Sequence, residues 1–267
     1  MKLFKHYILT RFNVFFHDWK VRFHNHPAFV SRDSWMFERL SLFENYCIPS
    51  MQNQSCSDFE WIVVFDESTE PKYRSIIDLY PRRFDRMKII YTKEERFVGD
   101  QVKLIGADFK YLMTTRLDND DALHKHAIRS LQNLFAEQEF EFLNFRHGFQ
   151  FDLKSGKLFF DYGESSPFMT LVERNTNDLK TVWVEPHQNI HQKYKTRQVR
   201  DMRYWLQIVH GLNLLNQIRG ETSLRSSLRH VCQSPLCALH DCSGPLVFRK
   251  KTLRSFGIND LRPILTT

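Results

Sequence analysis

The sequence has few cysteines and no long apolar run. Its five cysteines are an odd number spread over 267 residues, which argues against a disulfide framework and favours a reducing compartment. No apolar stretch approaches the roughly 20 residues that a membrane-spanning helix needs. Arg11 and Asn13 interrupt the early apolar residues that a secretion signal would require. The sequence therefore predicts a cytoplasmic protein.

Internal repeats, low-complexity segments and recognisable linkers are also lacking. The length is that of one large domain, or of one domain with an appendage. An apolar fraction of 42%, with 24 phenylalanines, is typical of a globular protein with a substantial core. The formal charge of +7 and the pI near 9.1 favour anionic partners, such as nucleotides, nucleic acid or an anionic membrane face.

Strand and helix patterns alternate along the first half of the chain. Strands are predicted at 6–11, 58–66, 87–91 and 111–117, with helices at 36–47, 72–79 and 99–110. The run at 58–66 is continuously apolar, as in a parallel strand that is buried on both faces. This alternation predicts a doubly wound α/β sheet, whose ligands bind beyond the carboxyl ends of the strands.

The second half of the chain has a different pattern. A hairpin is predicted at 141–151 and 157–162, further strands at 168–172 and 181–184, and a helix at 202–218. On that helix, His210 would share a face with Asn213 and Gln217.

An acidic turn follows the strand at 111–117. Asp118, Asp120 and Asp121 lie within four residues, and carboxylates packed this closely raise each other's pKa unless a cation or a set of donors compensates. Mg²⁺ or Mn²⁺ is the simplest compensator, because it takes one or two protein carboxylates and leaves positions for substrate phosphates. Helix capping is the alternative reading, and it explains one aspartate but not a pair.

Cysteine and histidine residues cluster near the C-terminus. Cys232, Cys237, His240 and Cys242 are sufficient in number for a tetrahedral Zn²⁺ site. Their spacing lacks the short C-x₂-C pairs of zinc ribbons and knuckles, so ordinary reduced cysteines are the preferred interpretation.

Several segments resemble GT-A glycosyltransferases. Residues 42–54 and the strand DFEWIVVFDES at 58–68 resemble the opening of that fold. TRLDNDDAL at 115–123 resembles the DxD metal motif, in the form seen in rhamnosyltransferases of bacterial surface-polysaccharide clusters. Further segments that resemble this family lie at 166–173, 181–187 and 205–213.

The resemblance implies an α/β fold of the GT-A type, with a Rossmann-like, mostly parallel sheet flanked by helices and a mixed α+β C-terminal half. A catalytic domain would span 1–220, with a nucleotide-binding half at 1–121 and an acceptor-side half at 122–220. Residues 221–267 would form an extension of unassigned role.

The implied activity is metal-dependent transfer of a sugar, with rhamnose as a candidate, in surface-polysaccharide synthesis. The donor would be UDP- or dTDP-linked, and the acceptor would be a hydroxyl of a glycan or of a lipid-linked glycan. A lipid-linked acceptor would bring the protein into peripheral contact with the cytoplasmic face of the inner membrane.

The same resemblance implies a role for the acidic turn. Asp118 and Asp120, with Asp121 beside them, would hold Mn²⁺ or Mg²⁺, which would stabilise the charge that develops on the departing nucleoside diphosphate. GT-A enzymes often take a third metal ligand from a late histidine, and His187 and His210 are the candidates.

Donor contacts are implied at the strand ends. Asp66 matches the aspartate that follows the family's apolar strand and would accept a hydrogen bond from the base or ribose. The loop from Thr10 to Asn13 would form the opposite wall, and Arg116 would reach the diphosphate unless it pairs with a neighbouring aspartate. The predicted donor-binding residues are Thr10, Arg11, Asn13, Asp66, Arg116, Asp118 and Asn119.

An inverting transfer also needs a base for the acceptor hydroxyl. Glu173 is the first candidate, because it ends the predicted strand at 168–172 and matches a segment of the family. Glu164 and Glu185 are the alternatives, and each of the three could instead be a surface carboxylate.

Two other functions are open to this sequence. A metal-dependent nucleotidyltransferase or phosphodiesterase could use Asp118 and Asp120, although two-metal chemistry is expected to need more carboxylates. A basic nucleic-acid-binding protein would use its aromatic residues as stacking platforms and the C-terminal cluster for zinc. Most aromatic residues lie at core spacings, so no specific nucleic-acid partner is predicted.

Overall fold

The computed structural model describes residues 2–14, 31–93, 106–211 and 245–259, together with positions 99, 102 and 218. The strands in these ranges are β1 (Lys2–Arg11), β2 (Glu60–Asp66), β3 (Met87–Thr92), β4 (Phe109–Arg116), β5 (Ala122–Leu123), β6 (Phe140–Asp152), β7 (Lys157–Tyr162), β8 (Met169–Arg174) and β9 (Thr196–Val209). The α-helices are α1 (Arg32–Leu42), α2 (Ile48–Gln52), α3 (Pro71–Ile77), α4 (Tyr80–Arg83), α5 (Ala127–Asn133), α6 (His187–Lys193) and α7 (Pro245–Ser255).

All the described strands belong to one sheet, in the order β3-β2-β1-β4-β8-β6-β9-β5, with β7 paired to β6. The first four strands in this order are parallel. β8 is antiparallel to both β4 and β6, and β9 is parallel to β6. The carboxyl ends of β1, β2 and β4 therefore meet at one edge of the sheet. The predicted α/β class, with a parallel first half and a mixed second half, is confirmed.

The sheet core is apolar on both faces. On β2, Trp61, Val63 and Phe65 pack into the cluster on the α1 side, and Ile62 and Val64 pack into a second cluster on the opposite face. Full burial of one such side chain stabilises the fold by about 1.5–3 kcal/mol. This two-sided burial explains the continuous apolar run that predicted a parallel strand.

The helical segment that starts with α1 begins at a serine N-cap and contains a π-helical turn. Ser31 caps α1, because its Oγ accepts a hydrogen bond from the Ser34 amide at 3.0 Å. After α1, a π-helical turn at Phe43–Cys47 leads into α2, where Pro49 lies in the first turn. Proline has no amide hydrogen to donate to the preceding turn. The predicted helix at 36–47 therefore extends through the π turn to Gln52.

The predicted helix at 202–218 is wrong over the described part, because β9 continues to Val209. Trp205 stacks on Phe168 with ring centroids 5.1 Å apart, while Leu206 and Ile208 pack into a different cluster. A strand that is buried on both faces shows no alternation, so its apolar run cannot be told from a buried helix by periodicity. Asn213 and Gln217 lie outside the described residues.

The predicted strand at 181–184 is also wrong. The segment forms turns, and Thr181 has a positive φ of 60°. Its backbone is held by side chains, since the Val182 amide donates to Thr114 Oγ1 at 2.8 Å. Tertiary contacts therefore override the strand preference of two valines and a threonine.

The hairpin prediction is confirmed by β6 and β7, which join through Gly156 at a φ of 64°. The predicted helix at 99–110 ends too late, because β4 already begins at Phe109. The C-terminal residues Cys232, Cys237, His240 and Cys242 lie outside the described ranges. In the part of the chain that is described, no helix has the length and apolar composition needed to cross a membrane.

Gly148 provides a test of the packing between β6 and β9. A Cβ atom at this position would lie 2.0 Å from Cδ2 of Trp205, so Gly148→Ala should displace the indole and destabilise the protein by about 1–3 kcal/mol. Gly211→Ala is the matched control, because its Cβ would meet no atom within 4 Å. Urea unfolding measures both changes, and equal midpoints for the two variants would contradict this packing.

Candidate active site

The acidic turn lies at the carboxyl end of β4, against the loop that follows β1. The Leu117 amide donates to the Leu9 carbonyl at 3.1 Å, and the Phe12 amide donates to the Val64 carbonyl at 2.8 Å. Asn119 Nδ2 donates to the Phe12 carbonyl at 2.9 Å. These bonds join the ends of β1, β2 and β4, as the sheet topology requires, and fix the position of the turn.

Asp118 forms a two-point ion pair with Arg116. The Nε and Nη2 atoms of Arg116 each lie 2.9 Å from a different carboxylate oxygen, and Arg116 Nη1 lies 2.9 Å from Nδ1 of His187 at the start of α6. Burial alone would raise the pKa of Asp118, but the adjacent Arg116 charge lowers it below its usual value. Asp118 is therefore an ionised carboxylate that already has a cationic partner.

Asp120 is buried and pairs with groups from two other parts of the chain. Arg39 of α1 contacts its Oδ2 atom, and His210 Nε2 lies 3.0 Å from the same oxygen. Burial opposes ionisation, but the Arg39 charge and the His210 hydrogen bond hold the pKa of Asp120 below its usual value. Arg39 also donates to Asn119 Oδ1 at 3.2 Å, so it binds two residues of the turn.

Asp121 is almost fully buried, with 1% of its surface exposed. Its Oδ1 accepts a hydrogen bond from the Ile208 amide of β9 at 2.8 Å, and its Oδ2 has no hydrogen-bond partner among the described residues. Burial, followed by the charges of Asp120 and Asp118, raises the pKa of Asp121 well above its usual value. Burial thus disfavours the charge of Asp121, and its Oδ1 joins the turn to β9.

The carboxylates as arranged do not fit a divalent metal ion. Asp118 is directed at a guanidinium, Asp120 at a guanidinium and an imidazole, and Asp121 at a backbone amide. Within the described ranges, no three His, Cys, Asp or Glu side chains are grouped as metal ligands. The candidate third ligands take part in the same contacts, His187 with Arg116 and His210 with Asp120.

The loop after β2 is held to the loop after β1 by Asn13. Its Oδ1 accepts from the Asp66 amide at 2.9 Å, and its Nδ2 donates to Thr69 Oγ1 at 3.0 Å. The Asp66 carboxylate accepts from the amide and hydroxyl of Ser68 at 2.8 and 2.5 Å. Asp66 is partly exposed, so this ordered carboxylate remains accessible at the edge of the sheet.

The two residues at the end of β1 have different environments. Arg11 lies over the Trp183 ring at 5.4 Å, and its charge also contributes to the lowered pKa of Asp118. Thr10 is fully buried, and its hydroxyl accepts a hydrogen bond from Trp61 Nε1 at 2.9 Å. This corrects the predicted donor-binding role of the Thr10 side chain, which lies in the core.

Glu173, the first candidate for the base, lies far from the acidic turn. β8 runs antiparallel to β4, so Glu173 pairs with Leu112, six positions and about 20 Å of extended chain before Asp118. Its carboxylate accepts hydrogen bonds from the Lys180 and Thr181 amides at 2.9 and 2.8 Å. The structure therefore contradicts its predicted role as base, and Glu173 instead anchors the segment that leads to His187.

The other two candidate glutamates lie nearer to His187. Glu164 pairs with Arg146 at 2.5 Å, and the hydroxyl of the following Ser165 donates to the His187 carbonyl. Glu185 precedes His187 by two positions and pairs with Lys193 at 2.5 Å. Both glutamates are thus beside the segment that contacts Arg116.

Sequence reasoning missed Arg39. It is buried on the inner face of α1, one turn after Trp35, and lies over that ring at 5.6 Å. An arginine on the apolar side of the Met36 to Phe43 pattern was the available signal, because buried arginines are rare unless they are paired.

Isosteric amide substitutions separate the roles of two aspartates. Asp120→Asn leaves the buried Arg39 without a charged partner and should lower the free energy of unfolding by about 3 kcal/mol. Asp121→Asn should change it by less than about 1 kcal/mol, because the amide oxygen can accept the same hydrogen bond from Ile208 and burial already disfavours the native charge. Urea unfolding of both variants measures the difference. A larger loss for Asp121→Asn would contradict the charge states described above.

Glu173 gives a pH-dependent prediction. Burial raises its pKa to about 7, in spite of the opposing bonds from two backbone amides and the nearby charge of Lys180. The folded protein thus keeps a proton that the unfolded chain releases at lower pH, so the stability from this group is lost as pH rises toward 7. The stability of wild type relative to Glu173→Gln should fall by about 2–3 kcal/mol between about pH 5 and about pH 8.

Urea unfolding across this pH range measures the effect. Glu164→Gln serves as the control, because Glu164 is exposed. A stability difference between wild type and Glu173→Gln that does not change with pH would contradict the raised pKa.

Comparison with known proteins gives one match to a protein family. A profile described as "Putative rhamnosyl transferase" matches residues 5–222. No curated protein matches the chain significantly.

Three solved structures illustrate the structural comparison. S. aureus TarS 1–349 has 12% identity and a TM-score of 0.42, with 94% of this chain and 70% of that chain covered. Its complex with UDP-GlcNAc has 12% identity and a TM-score of 0.43, with 77% and 59% covered, so this chain spans less than two thirds of that protein's length. The inositol-1-phosphate CTP transferase from T. maritima has 12% identity and a TM-score of 0.38, with 77% and 89% covered.

Proposed function

We propose a reaction for this chain, which belongs to the rhamnosyl transferase family and is a glycosyltransferase. It transfers a sugar, with rhamnose as the first candidate, from a nucleoside diphosphate sugar to a hydroxyl of a glycan or of a lipid-linked glycan. The observation that carries the donor assignment is the set of charged side chains at the ends of neighbouring strands. Arg11 at the end of β1 lies over Trp183, Arg116 at the end of β4 contacts His187, and Asp66 at the end of β2 is accessible.

Each end of the donor has a chemical counterpart at this edge. The guanidinium groups of Arg11 and Arg116 suit a diphosphate, because they donate charge-assisted hydrogen bonds to phosphate oxygens. Arg116 would do so while it also holds Asp118. Asp66, which Asn13 and Ser68 hold in place, suits a hydrogen bond from the base or the ribose. The same positive charges would stabilise the diphosphate as the glycosidic bond breaks and negative charge grows on the leaving group.

The base that takes the acceptor proton is proposed to be Glu164 or Glu185. Both lie beside the His187 segment, whereas Glu173 lies at the far end of β8. A carboxylate at the sheet edge could receive the proton of an acceptor hydroxyl that enters from the side opposite Asp66.

Several finer assignments stay predictions of the sequence. These are the UDP or dTDP base, the polysaccharide acceptor and contact with the inner membrane. Metal dependence is not proposed, because the carboxylates as arranged do not fit a divalent ion. The nucleotidyltransferase alternative has no specific support, because the described part of the chain does not assemble the carboxylates that a two-metal site would need.

Donor binding can be measured by titration calorimetry with UDP, dTDP and their sugar conjugates. One nucleotide series should bind, and Arg116→Met should weaken that binding by about 10- to 100-fold through loss of a charge-assisted contact. Arg174→Met is the matched control, because Arg174 is exposed and pairs with Glu139 near the other end of β8. Circular dichroism checks that each variant is folded. Equal affinities for Arg116→Met and wild type would contradict the proposed diphosphate site.

A further inference from the structure

Two arginines, Arg39 and Arg116, supply positive charge to the acidic turn. Asp118 and Asp120 are each paired with a guanidinium, from Arg116 and Arg39 respectively. We propose that Arg39 and Arg116 act as resident cations of this turn, so that the chain binds the diphosphate of its donor without a divalent metal ion. This inference rests on the proposed function, since it concerns the same donor site.

Arg39 is built into the fold as a partner of the turn. It projects from α1, where Trp35 and Leu40 anchor the helix in the core, and its side chain is only 11% exposed. It contacts Asp120 and donates to Asn119 Oδ1. A metal ion on the Oδ2 atom of Asp120 would have to displace this buried guanidinium, and breaking a buried ion pair is strongly unfavourable.

Donors already contact carboxylate oxygens of both Asp118 and Asp120. The two oxygens of Asp118 accept separate bonds from Arg116, each at 2.9 Å. On Asp120, Oδ2 receives both Arg39 and His210. A divalent cation would compete with these donors for the same oxygens.

The charge balance of the turn is a further reason why donor binding needs no divalent metal ion. The carboxylates of Asp118, Asp120 and Asp121 face the positive charges of Arg39 and Arg116, and Arg11 adds a third positive charge nearby. The site is therefore neutral to positive before any ligand arrives, and this charge attracts an anionic diphosphate. A metal ion would add positive charge to carboxylates that arginines already neutralise.

Nucleotide binding in the presence and absence of metal tests the proposal. Titration calorimetry of the full chain with UDP and dTDP, in excess EDTA and in MnCl₂, should give affinities that agree within about threefold. Electron paramagnetic resonance of free Mn²⁺ should show no tight Mn²⁺ binding by the wild-type protein.

Substitutions at Arg39 identify the resident cation. Arg39→Met should lower metal-free nucleotide affinity at least about tenfold and create Mn²⁺ binding at the vacated Asp120. Arg39→Lys, which keeps the charge, should retain metal-free nucleotide binding even if Arg39→Met fails to fold. Arg32→Met is the matched control, because Arg32 lies exposed on the same helix.

Each outcome decides between the two proposals. Nucleotide binding that requires Mn²⁺, together with tight Mn²⁺ binding by wild type, would overturn the resident-cation inference and leave the proposed function intact. If neither UDP nor dTDP binds, in EDTA or in MnCl₂, the proposed function is overturned, and this inference with it.

Discussion

Neutralisation of the carboxylates at the end of β4 is the constraint on which the site depends. Two like charges this close would repel unless each had a donor of opposite charge. Arg116 supplies one from the end of the same strand, and Arg39 supplies the other from α1. The site therefore requires that α1 packs on the sheet, because Arg39 reaches the turn only from that helix.

The same turn links elements that are distant in sequence. Asn119 holds the end of β1, Asp121 holds the β9 backbone at Ile208, and Arg116 contacts His187 at the start of α6. Glu173 contributes from the opposite end of β8, because its buried carboxylate fixes the segment that leads to His187. Residues remote from the sheet edge thus determine the geometry of the proposed donor site.

Short-range sequence patterns predicted much of this architecture. The apolar run of β2 and the aspartates after β4 were readable because each depends on neighbouring residues alone. The long strand β9 was not, since burial of Trp205 and Leu206 on opposite faces removes the alternation. The site role of Glu173 failed because its position depends on the antiparallel direction of β8, which no local pattern encodes. Arg39 was missed for a related reason, because its partner is formed only by tertiary packing.

The most direct measurement of the central claim is a crystal structure of the chain with bound nucleotide, grown in MnCl₂ and recorded with anomalous scattering from manganese. The account predicts a diphosphate contacted by arginine side chains, intact pairs of Arg39 with Asp120 and of Arg116 with Asp118, and no anomalous peak at the turn. A manganese peak bridging Asp118, Asp120 and the diphosphate, with Arg39 displaced, would contradict it.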